Sequence, residues 1–201
     1  MNKGQATRQR IVAEAAALFN QQGYANTSIS DLMAATGLRK GGLYNHFSSK
    51  DDLFLAAFDY AVEQVTREYR QALRQERQAL KRMDAIFQIY QRLVDAPLLP
   101  GGCPVLNAAI ESDDTHPQLR SRVQQVMTLW QSLIAQILRK GVERGELQPH
   151  IDIDAIVTIL IATLEGAIMM SKLYDDGEYI ERAIAHLRQY LASLAQTPSA
   201  M

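Results

Sequence analysis

One cysteine, Cys103, occurs among 201 residues, so no intramolecular disulfide can close and no cysteine-based zinc site can be assembled within the chain. A reducing compartment is expected. No Glu-x-x-His pair occurs, which removes the usual ligand set of a di-iron helical bundle. His46, His116, His150 and His186 stand at no metal-ligand spacing, and no glycine-rich phosphate loop follows a strand. No run alternates apolar and polar residues long enough to propose a strand. The first residues, Met1 to Arg10, contain no apolar stretch, so no secretory signal and a cytoplasmic location are expected. The most apolar run, Ala155 to Met170, is short of the ~20 residues a spanning helix needs and is interrupted by Thr158, Thr163 and Glu165. It reads as a helix buried in a core or a subunit interface. Catalytic machinery, metal and cofactor are all unexpected.

What is present is an ordinary soluble composition, 47% hydrophobic and 21% charged, and a pervasive helical period. The formal net charge of -1 hides an asymmetry. Residues 1–50 hold Lys3, Arg8, Arg10, Arg39, Lys40 and Lys50 against Glu14 and Asp31, a balance of +4, and the remainder balances at -5. A basic end on an acidic body suits a protein of which one end approaches phosphates.

Along the chain, Ile11, Ala15, Leu18 and Phe19 make one apolar face of a first helix closed by Gly23. Ser28, with Asp31 three residues on, caps a second helix that Gly37 ends. A short third helix is predicted from Lys40 to Phe47. Ser49 with Asp52 opens a long fourth helix to about Leu73. Helices over 79–94, 105–110, 117–143, 154–173 and 179–195 are predicted beyond it, separated by Ala96-Pro97, by the breaker cluster Pro100 to Pro104, by Gly145 and by Asp175-Asp176-Gly177. Thr197 to Met201 is expected to be a frayed tail. No internal repeat is found.

Residues 28–47, SISDLMAATGLRKGGLYNHF, have the anatomy of a helix-turn-helix: a capped helix, a glycine turn, and a short helix whose apolar residues leave one side free. Such a helix enters a major groove N-terminus first, where Arg39 and Lys40 can reach guanine N7 and O6 or a phosphate. Gly41 and Gly42 each cost about 1 kcal/mol of helix stability against alanine. A close approach of backbone to DNA accounts for keeping both; a helix cut short by packing is the alternative. Tyr44 and His46 can bond phosphate oxygens, Tyr44 being also half core material and His46 a simple surface residue. Asn45 can read an adenine edge or face solvent. Lys50 opens a helix whose free N–H groups attract phosphate. Thr27 and Ser28 can do the same, with Ser28 serving chiefly as the cap.

The run from TRQRIVAEAAALFNQQGYANTSISDLMAATG to LRKGGLYNHFSSKDDLF resembles the N-terminal domain of the TetR family, over about the first 65 residues. The resemblance implies an all-α protein. An N-terminal three-helix helix-turn-helix domain (1–65, motif 28–47) is joined by a long helix to a larger C-terminal effector-binding and dimerisation domain (66–201). It further implies a ligand-released repressor on an inverted-repeat operator, and backbone contacts by the residues at 44 and 46. Two departures from the family pattern, Arg39 in place of a small capping residue and Gly42 in place of Thr or Ala, bear on which operator is read.

One reading head contacts too few bases for specificity, so a two-fold pair on a palindrome is expected. Ile156, Ile159, Leu160, Leu164 and Ile168, with Ile180, Ile184, Leu187 and Leu191, are the expected dimer contact; packing within one chain is the alternative. For the effector, Phe87, Tyr90, Leu98, Val105, Ile110, Met127, Trp130, Ile134 and Met169 are candidate pocket walls. Glu165 is the polar group to orient a ligand or to pair across the dimer. Cys103 supports a separate reading, a repressor of the same fold that senses an oxidant or electrophile. A helical interaction protein without DNA binding would leave GGLYNHF unexplained.

Overall fold

The computed structural model describes residues 3–112 and 116–196. These residues form nine helices and no strand; Leu147 and Ala195 share an isolated antiparallel bridge. The expected frayed tail, 197–201, lies outside the described residues. The chain divides into two compact units, 1–66 with 97–124, and 67–96 with 125–201.

The first unit holds α1 (Lys3–Gln22), α2 (Ile29–Thr36), α3 (Lys40–Tyr44), the start of α4 (Lys50–Leu73), α6 (Pro104–Ser112) and the start of α7 (Pro117–Glu143). Its core is the apolar face read from the sequence: Ile11, Ala15 and Phe19 of α1, Leu32 of α2, then Leu43, Phe47, Phe54 and Phe58, all at most 5% exposed. Phe19 and Phe54 meet edge to face at 4.8 Å. Gly23 and Gly37 end α1 and α2 with φ of +80° and +67°, the conformation expected of a helix C-terminus. α3 is shorter than predicted. After Tyr44 the N–H of Asn45 still reaches the Gly41 carbonyl, but His46 N–H turns to the Leu43 carbonyl, three residues back, and the last turn tightens out of the α-helix.

The second unit holds α5 (Ala79–Asp95), α8 (Ile153–Tyr174), α9 (Glu178–Ser193) and the remainders of α4 and α7. α8 packs on α9 and on α5. Met83, Ile86 and Phe87 of α5, Leu160, Leu164 and Ile168 of α8, and Ile180, Ile184 and Leu187 of α9 close its core at no more than 1% exposure. α8 is long and apolar enough to cross a membrane by length and composition alone. Its inward half is instead the centre of this unit, as expected of a core helix. α8 ends at Asp175, which takes φ +51° where glycine is usual, an angle that aspartate tolerates better than most residues.

Candidate DNA-reading surface

The reading surface is built from α2, the turn at Gly37, and α3. At its front, the Ser28 Oγ accepts the Asp31 N–H at 3.1 Å, and Asp31 Oδ2 accepts the Ser28 N–H at 2.8 Å and hydroxyl at 2.6 Å, a complete capping box. The Ser28 hydroxyl and N–H hold the Asp31 carboxyl below its ordinary range. Arg10 of α1 donates to the Thr36 carbonyl at 2.9 Å, placing a cation on the C-terminal end of α2. Arg8 lies 4.6 Å over the Phe47 ring.

Arg39, Lys40, Gly41, Tyr44 and Asn45 are exposed, while His46 and Gly42 are half-buried. Leu43 and Phe47 turn inward, at 3% and 4% exposure. Arg39 stands at the α3 N-cap with extended φ and ψ and makes no side-chain cap. The glycine pair meets no demand from within the chain. A Cβ at Gly41 has nothing within 4 Å, one at Gly42 makes ordinary contact with Leu38 at 3.5 Å, and neither has positive φ.

Two of the expected phosphate contacts have partners within the chain. Thr27 is 1% exposed, and its hydroxyl donates to the Gly23 carbonyl at 2.6 Å, closing the turn after α1. Lys50 is half-buried; its Nζ donates to the Tyr24 carbonyl at 2.5 Å and lies 4.0 Å over the Tyr24 ring. Desolvation lowers its pKa against the pull of Asp51, Glu111 and Asp31. The Tyr24 hydroxyl donates to Asp51, and burial, that bond and the charges of Asp51 and Glu111 push it up to about 12. Tyr24, Arg8, Arg10 and Glu111 are supports that pattern reading passes over. The two arginines register there only as charge, and Glu111 is remote in sequence.

The expected effector residues fall in both units. Cys103 and Val105 are fully buried in the first, whereas Ile110 and Leu98 there are 63% and 52% exposed. In the second, Phe87, Tyr90, Trp130, Ile134 and Glu165 are buried, Met127 is half-buried, and Met169 is 50% exposed. The Tyr90 hydroxyl donates to Glu165 Oε1 at 3.2 Å, and Trp130 packs on Tyr69 at 5.6 Å. A void of about 30 Å³ in the first unit, between α1, α4 and α6, is lined by none of these residues. The thiol of Cys103, at 0% exposure, has no access to solvent.

The expected dimer contact needs correction. Ile156, Leu160, Leu164, Ile168, Ile180, Ile184, Leu187 and Leu191 are at most 3% exposed inside one chain; Ile159 alone of the set is at the surface, at 47%. An almost all-round apolar helix gives no phase, and α5 and α9 take the face that these residues occupy. The outward face of α8 carries Ala155, Ile159, Ala162, Gly166, Met169 and Leu173. Ile159, Met169 and Leu173 are 47%, 50% and 70% exposed.

A capped helix, a left-handed glycine turn and a short helix with an open basic face define a helix-turn-helix DNA-binding protein. Two families match: "Bacterial regulatory proteins, tetR family" over residues 11–57 and "Tetracyclin repressor-like, C-terminal domain" over 79–187. The chain is 46% identical to a TetR transcriptional regulator from Chloroflexus aurantiacus, with a TM-score of 0.94 over 98% of this chain and 99% of that one. A TetR-family regulator from Cytophaga hutchinsonii is 32% identical, with a TM-score of 0.89 over 98% of each. The transcriptional repressor DhaR of Mycobacterium sp. is 23% identical over 87% of both chains. The chain belongs to the TetR family of transcriptional regulators, and its helix-turn-helix is the DNA-binding element. As a member of that family it is a transcriptional regulator and not an enzyme.

Proposed function

We propose that the chain is a cytoplasmic repressor that binds an inverted-repeat operator as a homodimer and is released by a small molecule. The observation that carries this is the outward face of α8. Ala155, Ile159, Ala162, Gly166, Met169 and Leu173 recur at alternating spacings of four and three residues, the seam along which two helices pack. The small residues allow close approach, and a Cβ at Gly166 would meet nothing within 4 Å. A two-fold axis along this face pairs two reading heads, as a palindrome requires. Arg39, Lys40, Tyr44, Asn45 and His46 meet bases and phosphates, and Gly41 and Gly42 let the α3 backbone approach the groove. Release follows if a ligand prefers a different spacing of the heads, since an effector shifts an equilibrium only by its differential affinity. The buried set Phe87, Tyr90, Trp130, Ile134 and Glu165 favours an apolar effector with one polar group. Sedimentation of the protein, followed by footprinting on a duplex selected from a randomised library, tests the reading. A monomer, or a footprint without two-fold symmetry, refutes it.

A further inference from the structure

We infer that Glu111, on α6 and outside the helix-turn-helix, is a positioning residue of the DNA-reading surface. Its carboxylate clips the turn between α1 and α2 and so sets the affinity for DNA. After α1 ends at Gly23, the next backbone N–H groups lack helical acceptors and need others. Glu111 supplies both: Oε2 accepts the Tyr24 N–H and Oε1 the Ala25 N–H, each at 2.8 Å. Charge-assisted pairs of this kind are the stronger hydrogen bonds.

Gly23 is shaped to the clip. Its φ of +80° already favours glycine, and a Cβ there would lie 3.0 Å and 3.2 Å from the two carboxylate oxygens. The opposite side of residue 24 is held as well, by Lys50 on its carbonyl and by Asp51 on its hydroxyl. Residue 24 is therefore fixed at its N–H, its carbonyl and its side chain, by groups from α6 and α4.

α6 is itself tied to α1. Asn107 Nδ2 donates to the Asn20 carbonyl at 3.1 Å and to Asn20 Oδ1 at 3.0 Å. Asn20 Nδ2 in turn donates to the carbonyls of Pro100 at 2.8 Å and Gly102 at 3.1 Å. Four residues beyond Tyr24 stands Ser28, the cap of α2. A change in the clip is thus delivered to the front of the reading surface. The inference rests on residues 28–50 being the DNA face and is independent of the dimer and of the effector.

The experiment uses the full-length protein and the duplex that wild type selects from a randomised library. Affinity is measured by fluorescence anisotropy at several salt concentrations, with active protein counted by stoichiometric titration. Glu111→Ala is expected to weaken binding about a hundredfold, the low end of the loss expected for two hydrogen bonds to a charged group, and Glu111→Gln, which keeps one acceptor, by less. The slope of log affinity against log salt should stay at the wild-type value, because every phosphate-binding cation is still in place. Amide exchange at Tyr24 and Ala25 should quicken in both variants. Combined with Gly23→Ala, Glu111→Ala should add much less than its separate effect.

Wild-type affinity per active molecule in Glu111→Ala, with only its melting temperature lowered, would make the residue structural and overturn the inference. So would unchanged exchange at Tyr24 and Ala25. A wild-type protein that selects no duplex would overturn the DNA reading along with it, an outcome distinct from either.

Discussion

Replacing Gly101 by alanine probes how firmly the loop before α6 is seated on α1. Gly101 has a φ of +108°, and an added Cβ would lie 2.2 Å from the Asn20 carbonyl oxygen and 2.6 Å from its carbon. Those atoms belong to backbone and cannot rotate aside. Relief requires the loop to lift, which breaks the Asn20 bonds to the Pro100 and Gly102 carbonyls. Two such bonds contribute about 1 kcal/mol each, and the strained backbone adds about 1–3 kcal/mol. The expected loss is about 3–5 kcal/mol, a large share of the about 5–15 kcal/mol that holds a typical protein folded. In a chain of this length that lowers the melting temperature by roughly 10 °C. Circular dichroism at fixed protein concentration measures it. Gly37→Ala is the control: its φ is +67° but nothing lies within 4 Å of the new Cβ, so it should cost only the about 1–2 kcal/mol of a left-handed residue. If Gly101→Ala melts no lower than Gly37→Ala, the reasoning from close backbone approach fails.

Arg39→Ala and Lys40→Ala should each weaken binding to the selected duplex and flatten the salt dependence by about 0.9 for each phosphate no longer neutralised; an unchanged slope would place these side chains away from the DNA backbone. Ile159→Asp should convert a dimer into a monomer by sedimentation, raising the dissociation constant about a hundredfold or more. Leu160→Ala, one residue along but fully buried, should instead destabilise the fold by about 2–5 kcal/mol. The Asp31 carboxyl, followed by NMR, should titrate below the ordinary range and rise toward it in Ser28→Ala, which removes the hydroxyl bond and leaves the backbone N–H in place. Its folded pKa is depressed, so its stabilisation of α2 is complete above the unfolded value near 3.8 and is lost as pH falls through the folded pKa. An identical titration in the two proteins would remove the Ser28 hydroxyl as the leading cause.

The fold was legible because its signals are local. Ser28 with Asp31, Gly23, Gly37 and Ala96-Pro97 bracket helices whose apolar faces repeat at the helical period, and the boundaries fall within a few residues of those expected. The errors share a cause: sequence gives the identity of a side chain but not its phase against distant elements. α8 is apolar nearly all round, so the buried Leu160 and Leu164 could not be told from the exposed Ile159 and Met169 until α5 and α9 were seen to cover one side. Ile110 lies in a short helix between breakers and shows no phase for the same reason. Thr27 reads as a polar residue beside the cap and therefore as exposed. It is buried because its hydroxyl can satisfy itself on Gly23 four residues back.

Charge shows the same division between what sequence counts and what structure spends. Arg10 and Lys50 each donate to a backbone carbonyl, Thr36 and Tyr24, and Arg8 covers the Phe47 ring. Their charge still acts at a distance, because a field felt over about 10 Å in physiological salt does not depend on which acceptor a cation has found. The basic excess of the first fifty residues therefore still draws this end of the chain toward DNA. At close range the arithmetic changes, since a cation already engaged must break one bond to form another. Arg39 and Lys40 stand exposed on α3, where Arg39 makes no cap bond. On the proposed reading, attraction is thus spread over the whole head, whereas recognition falls to the one short helix whose exposed cations and glycines meet no demand from within the chain.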